Sequence, residues 1–132
     1  MSSSENPGSA GGRRVLVVED QADTRKLIVA TLGLRNYVVE QAADSDAGWG
    51  KIQAFKPDLV LLDVMMPGQW DGIELCRHIR ETPELAALKV AMITAKGQRQ
   101  DLEAGREAKA DAYIVKPFGP MKLLETVEWL LS

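Results

Sequence analysis

Five short apolar segments alternate with longer segments of helical period along the chain. Three of them, within residues 15–18, 59–62 and 90–93, are continuously apolar, which is typical of strands that helices cover on both faces. The sequence predicts strands at residues 15–18, 37–41, 59–62, 89–93 and 112–115, and helices at 23–34, 45–55, 72–80 and 98–108. A last helix is predicted from an inward-facing stripe of Met121, Leu124, Val127 and Leu131. Strict alternation of strand and helix favours right-handed crossovers and a doubly wound α/β fold.

The predicted helix at residues 98–108 carries few apolar side chains. Leu102, Ala104 and Ala108 are its only apolar residues, and Gly105 interrupts it. A helix that buries little surface opens or shifts at low cost, so this segment is a candidate moving part. The alternative, a solvated helix without a special role, stays open.

Composition describes an ordinary globular domain. The 132 residues are 45% hydrophobic and 27% charged, which indicates one core and excludes global disorder. The net charge of −3 disfavours direct binding to nucleic acid, and no apolar run reaches membrane-spanning length. The single Cys76 cannot form an internal disulfide, which fits a cytoplasmic location. Residues 1–12 are predicted to be a flexible tail before one domain at residues 13–132.

Polar residues follow four of the predicted strands at their carboxyl ends. They are Glu19, Asp20, Asp63, Thr94 and Lys116. Carboxyl ends of parallel strands meet at one edge, where three carboxylates repel unless a hard cation such as Mg²⁺ lies among them. Asp63 is then placed as a nucleophile that forms an aspartyl phosphate, with Lys116 and Thr94 contacting the same anion. Each residue alone also fits a cap, a turn, a strand end or a solvated charge, but their joint placement favours a site.

Four motifs resemble the receiver domains of two-component response regulators, the CheY-like superfamily. They are Val-Leu-Val-Val-Glu-Asp at 15–20, Leu-Val-Leu-Leu-Asp-Val-Met-Met-Pro-Gly at 59–68, Ile-Thr-Ala at 93–95 and Ala-Asp-Ala-Tyr-Ile-Val-Lys-Pro-Phe at 110–118. The resemblance extends over residues 13–132. It implies a flavodoxin-like fold of five strand–helix units with a five-stranded parallel sheet in the order 2-1-3-4-5.

The resemblance also implies a set of roles. Asp63 would accept a phosphoryl group from a phosphohistidine, and the domain would catalyse only its own phosphorylation and dephosphorylation. Mg²⁺ would be held by Asp20, Asp63, the Met65 backbone carbonyl and, through water, Glu19. The remaining roles are phosphoryl contacts at Thr94 and Lys116, a conformational switch of Thr94 with Tyr113, and a cis bond before Pro117.

The implied partners are proteins. A histidine kinase or phosphotransfer protein would donate the phosphoryl group, and an unidentified downstream effector would read the change. The domain is expected to be a monomer or a weak phosphorylation-dependent dimer, with no direct contact to nucleic acid or membrane. Because no second domain follows in the sequence, we expect signalling by protein contact, or else a receiver excised from a longer protein.

Two other functions stay open. A phosphohydrolase with an aspartate nucleophile, as in haloacid-dehalogenase-like enzymes, places a second acid two residues after that nucleophile. This chain has Met65 there, which removes the required proton donor. A binding module that is never phosphorylated is the other alternative, and the intact set of carboxylates, Thr94 and Lys116 disfavours it.

The loop after Asp63 departs from the family pattern. Three residues separate Pro67 from the pair Asp71 and Gly72, whereas receivers commonly have two. Trp70 in this loop is interpreted as packing on the loop and the following helix, or as shielding the acyl phosphate or contacting a kinase. Four residues are given roles outside the site: His78 on the surface, Cys76 in the core, and Trp49 and Trp129 in helix packing, with an interface as the alternative for Trp129.

Overall fold

The computed structural model describes residues 12–66, 68–95 and 99–132, and the side chains of all of these except 99–101. Five strands form one parallel sheet in the order β2-β1-β3-β4-β5, which confirms the predicted flavodoxin-like fold. The strands are β1 Arg14–Val18, β2 Val38–Ala42, β3 Leu59–Asp63, β4 Lys89–Ala95 and β5 Ala112–Lys116. Residues 1–11 of the predicted tail, Pro67 and Gln98 lie outside the described residues.

Five helices connect or follow the strands. They are α1 Ala22–Leu32, α2 Ser45–Phe55, α3 Gly72–Arg80, α4 Arg99–Glu107 and α5 Pro120–Leu131, with a 3₁₀ turn at Pro83–Leu85. Helix α1 ends earlier than predicted, because the amides of Leu34 and Arg35 bond to carbonyls three residues back and tighten the chain. No helix in the described part of the chain has the length and apolarity that a membrane span requires.

The sheet is buried on both faces. Val15 and Val17 pack on α1 and α5, whereas Leu16 and Val18 pack on the side of α2, α3 and α4. Successive strand side chains point to opposite faces, so a strand covered twice needs an apolar residue at every position. The continuous apolar runs of β1, β3 and β4 are therefore a direct consequence of this three-layer arrangement.

The inward face of α5 differs from the predicted stripe. Its buried residues are Leu123, Leu124, Val127, Leu130 and Leu131. Met121, predicted to face inward, is 61% exposed. With 3.6 residues per turn, Met121 lies about 120° around the helix from the centre of that face.

Helix α4 buries few side chains. Leu102 is half-buried, while Gly105 and the following Ala108 are buried. Gly105 lies directly against Tyr113 of β5, because a Cβ at this position would be 2.8 Å from the Tyr113 ring. Helix α4 and the Tyr113 ring are therefore in direct contact, and the predicted mobility of α4 stays a prediction.

Candidate functional site

Three carboxylates meet at the carboxyl ends of β1 and β3. These strands are neighbours, with Val18 opposite Leu62, so Glu19, Asp20 and Asp63 follow at the same edge. One carboxylate oxygen from each residue lies within 4.8 Å of the others. Glu19 and Asp63 are buried and Asp20 is exposed, so the cluster opens to solvent on one side. The predicted acidic cluster is thus present.

Lys116 reaches this cluster from β5. Its Nζ lies 3.1 Å from Asp63 Oδ2 and 3.2 Å from Glu19 Oε1. The other Asp63 oxygen, Oδ1, accepts a hydrogen bond of 3.0 Å from the Met65 amide. The peptide bond between Lys116 and Pro117 is cis. One ammonium group, that of Lys116, therefore faces two buried carboxylates.

Thr94 lies beside the cluster at the end of β4. It directly follows Ile93, which pairs with Asp63, and it is 2% exposed. Its hydroxyl is buried and has no hydrogen-bond partner among the described residues. An unsatisfied buried hydroxyl costs about 1–3 kcal/mol, so an anion placed here would gain a ready donor. Tyr113 of β5 pairs with Met92 of β4, which precedes Thr94 by two residues. Tyr113 therefore lies on the same face of the sheet as Thr94.

Asp20 and Asp63 of this cluster line an open pocket of about 560 Å³, and Glu19 lies buried beneath it. Its lining residues are Asp20, Gln21, Asp63, Met65, Met66, Ala95 and Lys116. A larger groove of about 690 Å³ lies at the amino ends of the strands, where Trp49, Leu85 and Lys89 are among its walls. Two carboxylates, Asp58 and Glu84, line that groove, but among the described residues three carboxylates meet only at the smaller pocket. Chemistry rather than size therefore makes the smaller pocket the candidate functional site.

Burial changes the protonation of Glu19. Desolvation, followed by the hydrogen bond and charge of Asp63, raises the pKa of Glu19 from its ordinary 4.5 to about 7, against opposing contacts from the Gln21 amide and Lys116. Burial disfavours the charged form of Lys116, but the hydrogen bonds and charges of Asp63 and Glu19 outweigh it and raise its pKa. Without a cation, Glu19 therefore holds a proton for about half of the time at pH 7.

We expect the metal-free protein to lose stability as pH rises from about 5 to about 8. The folded state holds a proton on Glu19, with a pKa of about 7, that the unfolded chain releases near 4.5. The stability from this proton is therefore fully present below the lower value, falls between the two values and levels off above the higher one, with a total loss on the order of 3 kcal/mol.

Urea unfolding at several pH values in a chelating buffer measures this loss. Glu19→Gln should flatten the pH dependence, and saturating Mg²⁺ should remove it because a cation favours the ionised carboxylate. A wild-type curve that is flat over this range without metal would contradict the assignment.

Arg25 is a site residue that the sequence analysis missed. Its Nη1 donates to the Glu19 carbonyl at 2.7 Å, and its Nε donates to Gln41 Oε1 at 3.1 Å. The guanidinium thereby fixes the turn that presents the acidic pair and joins it to β2. Only its position near the start of α1, close after Asp20, signalled this role in the sequence.

Trp70 lies away from the carboxylates, in an aromatic cluster with Trp49 and His78. Its ring centroid is 6.1 Å from that of Trp49 and 4.4 Å from that of His78. This geometry favours the packing interpretation over shielding, since Trp70 is not among the residues that line the pocket. His78 was expected on the surface, but it is half-buried because both tryptophans cover its ring.

The prediction for Cys76 is confirmed, whereas the packing prediction for Trp129 is wrong. Cys76 is buried, as predicted, and its thiol donates to the Ala108 carbonyl at 3.4 Å. Burial raises the pKa of Cys76 to about 11, which excludes a reactive thiolate at neutral pH. Trp129 was expected in helix packing but is 68% exposed, because it lies on the outer face of α5.

Comparison with known proteins identifies the relatives of this arrangement. A family model described as the response regulator receiver domain matches residues 15–128. The chain is 43% identical over 118 residues to the transcriptional regulatory protein ResD of Bacillus subtilis, covering 89% of this chain and 48% of ResD. It is 36% identical over 116 residues to the phosphate regulon transcriptional regulatory protein PhoB of Escherichia coli, covering 88% and 50%. The chain thus spans about half the length of these relatives.

Solved structures of response regulators resemble the fold of this chain. The chemotaxis response regulator CheY4 of Vibrio cholerae superposes with a TM-score of 0.83 at 30% identity, covering 89% of this chain and 98% of that one. The receiver domain of NtrX from Brucella abortus gives 0.81 at 31% identity, covering 89% and 97%. Both similarities extend over nearly the whole length of the two chains compared.

Proposed function

The chain belongs to the response regulator receiver domains of two-component systems, and on this basis we propose that Asp63 is its phosphoacceptor. The single observation that carries the proposal is the convergence of Asp63 with Glu19, Asp20 and Lys116 beside one open pocket. The phosphoryl donor would be the phosphohistidine of a histidine kinase or of a phosphotransfer protein. The domain is a signalling module, and it would catalyse only its own phosphorylation and dephosphorylation.

The donor set fits Mg²⁺. Asp20, Asp63 and the Met65 backbone carbonyl would hold the ion, with Glu19 contributing through water. This cation accepts a few oxygen ligands and retains several waters, and one exposed carboxylate beside two buried ones suits that preference. When bound, Mg²⁺ would supply charge neutralisation for the incoming phosphoryl oxygens.

The chain's own residues account for the transfer. A carboxylate oxygen of Asp63 attacks phosphorus, the phosphorus–nitrogen bond of the donor breaks, and its electron pair remains on the imidazole. The Lys116 ammonium, already 3.1 Å from Asp63, would follow the negative charge onto the phosphoryl oxygens. The Met65 amide orients the nucleophile by binding its other oxygen.

Thr94 and Tyr113 would convert this reaction into a signal. The phosphoryl group adds nearly two negative charges and three acceptors, which the unsatisfied Thr94 hydroxyl can meet by moving inward. Tyr113 would then enter the space behind it. Because Gly105 lies against the Tyr113 ring, this movement would displace α4 and change the face that a partner contacts.

The partners and assembly follow as part of the same proposal. A downstream effector protein would bind the phosphorylated domain, which would be a monomer or a weak phosphorylation-dependent dimer. Residues 13–132 would form the receiver and residues 1–12 a tail. The chain spans about half of ResD and PhoB, so the proposal concerns the phosphorylation of this domain and not the activity of a longer protein.

Incubation of the chain with acetyl phosphate tests the function. We expect intact mass spectrometry to show one added phosphoryl group with Mg²⁺ and none with a chelator. Hydroxylamine should remove the adduct, because it cleaves acyl phosphates and leaves phosphoserine intact. No adduct from any phosphoramidate or acyl phosphate would favour the passive binding module, and steady phosphate release from phosphate monoesters would favour the hydrolase.

A further inference from the structure

The loop between Asp63 and α3 is closed at its base. The Gly72 amide donates to the Val64 carbonyl at 2.9 Å, and Asp71 begins α3 with a capping box to Glu74. Residues 65, 66 and 68–71 therefore lie in a loop whose two ends are fixed by the fold. Contacts of the middle of the loop therefore influence how far the Met65 backbone can move.

Ser45 supplies such a contact from α2. Its buried Oγ accepts a hydrogen bond of 3.0 Å from the Trp70 amide. Gly68 has φ +119°, and a Cβ at this position would be 2.3 Å from the same Oγ. The backbone on both sides of Gln69 thus lies against one hydroxyl, which is 25 residues distant from Trp70 in sequence.

The Trp70 side chain strengthens this attachment. Trp49 follows Ser45 by one helical turn, so both project from the same side of α2. Ser45 binds the Trp70 backbone while Trp49 contacts its ring edge-on. His78 of α3 covers the ring from the other helix. The segment 68–70, which is one residue longer than is common in receivers, is therefore held by two helices.

We propose that Ser45 is a positioning residue that anchors the loop and, through it, the Met65 backbone beside Asp63. The proposal rests on the phosphoacceptor function and extends it to a residue outside the pocket. A fixed loop presents the Met65 carbonyl to Mg²⁺ without first having to be ordered, which favours binding. Releasing Trp70 would restore that freedom and weaken the metal site.

Ser45→Ala tests the proposal, with Thr31→Ala as the matched control. Both remove a buried hydroxyl from a helix, but the Thr31 hydroxyl bonds only to the Leu27 carbonyl of its own helix α1. We expect Ser45→Ala to raise the Mg²⁺ dissociation constant about tenfold, as for supporting residues of other metal sites. Thr31→Ala should leave that constant unchanged. Titration calorimetry with Mg²⁺ measures both.

Two further measurements separate positioning from general stability. Hydrogen exchange at the Trp70 amide should accelerate in Ser45→Ala more than in Thr31→Ala at equal global stability. Ser45→Cys retains the shape with a poor acceptor and provides a second variant if alanine prevents folding. It should also weaken Mg²⁺ binding.

The outcomes are distinguishable. Unchanged Mg²⁺ affinity in both Ser45 variants, or the same loss in Thr31→Ala, would overturn the positioning role. A wild type that binds Mg²⁺ but never accepts a phosphoryl group would refute the proposed function alone, and the affinity comparison would still decide the role of Ser45. A wild type that does not bind Mg²⁺ would refute the role of Ser45 as well.

Discussion

Asp63→Asn is expected to abolish the phosphoryl adduct completely while the fold persists. An amide has nearly the shape of the carboxylate but is a poor nucleophile, and it also removes one carboxylate from the Mg²⁺ donor set. The hydrogen bond from the Met65 amide to Oδ1 can be kept by the asparagine carbonyl. The loss should therefore reflect chemistry rather than unfolding.

Intact mass after incubation with acetyl phosphate and Mg²⁺ measures the effect. Asp46→Asn is the matched control, since it makes the same change at an exposed carboxylate in the first turn of α2. It should be phosphorylated like the wild type. An adduct that survives in Asp63→Asn would place the acceptor elsewhere, with Asp20 as the next carboxylate in the pocket.

The same variant has an expected signature in stability. The hydrogen bond and charge of Asp63 help to raise the pKa of Glu19, so removing that charge should lower the pKa toward its ordinary value. Metal-free Asp63→Asn should then depend less on pH than the wild type and gain less stability from Mg²⁺. The fold holds the carboxylates of this site together against their own repulsion, and a bound Mg²⁺ would offset that repulsion.

The sheet and its acidic edge could be predicted from the sequence because both depend on short, contiguous patterns. Continuous apolar runs identify doubly covered strands, and the residue after such a strand must lie at its carboxyl end. The proximity of Glu19, Asp20 and Asp63 could thereby be predicted without knowledge of any side-chain contact. The position of Lys116 followed by the same reasoning, since β5 is parallel to the other strands.

Contacts between distant segments could not be predicted in this way. Arg25 acts on backbone carbonyls, and Ser45 meets Trp70 across 25 residues, so neither leaves a periodic signal. Trp129 was expected in helix packing and is exposed, and His78 was expected on the surface and is half-buried, because a helical pattern gives a face but not what lies opposite it. The contacts of Arg25 and Ser45 depend on tertiary packing, which the sequence pattern does not contain.

The start of α3 shows how tightly the fold constrains the site. Gly72 is the first residue of that helix and lies directly on the end of β3. A Cβ there would be 2.1 Å from the Asp63 carbonyl oxygen and 2.8 Å from the Val64 Cα. Both neighbours are backbone atoms, which cannot rotate away as a flexible side chain would. Any larger residue must therefore push α3 away from the strand that carries Asp63.

We expect Gly72→Ala to lower the free energy of unfolding by about 3 kcal/mol or more, at the upper end of overpacking effects. Gly50→Ala is the matched control, because a Cβ added at Gly50, inside α2, would meet nothing within 4 Å beyond its own helix. Alanine there should raise stability by about 0.5–1 kcal/mol through helix propensity. Urea unfolding of both variants measures the two opposite shifts. Equal stability of Gly72→Ala and the wild type would show that α3 can move from β3 at little cost, and the Val64 and Met65 backbone would then be less firmly held than the Ser45 anchor requires.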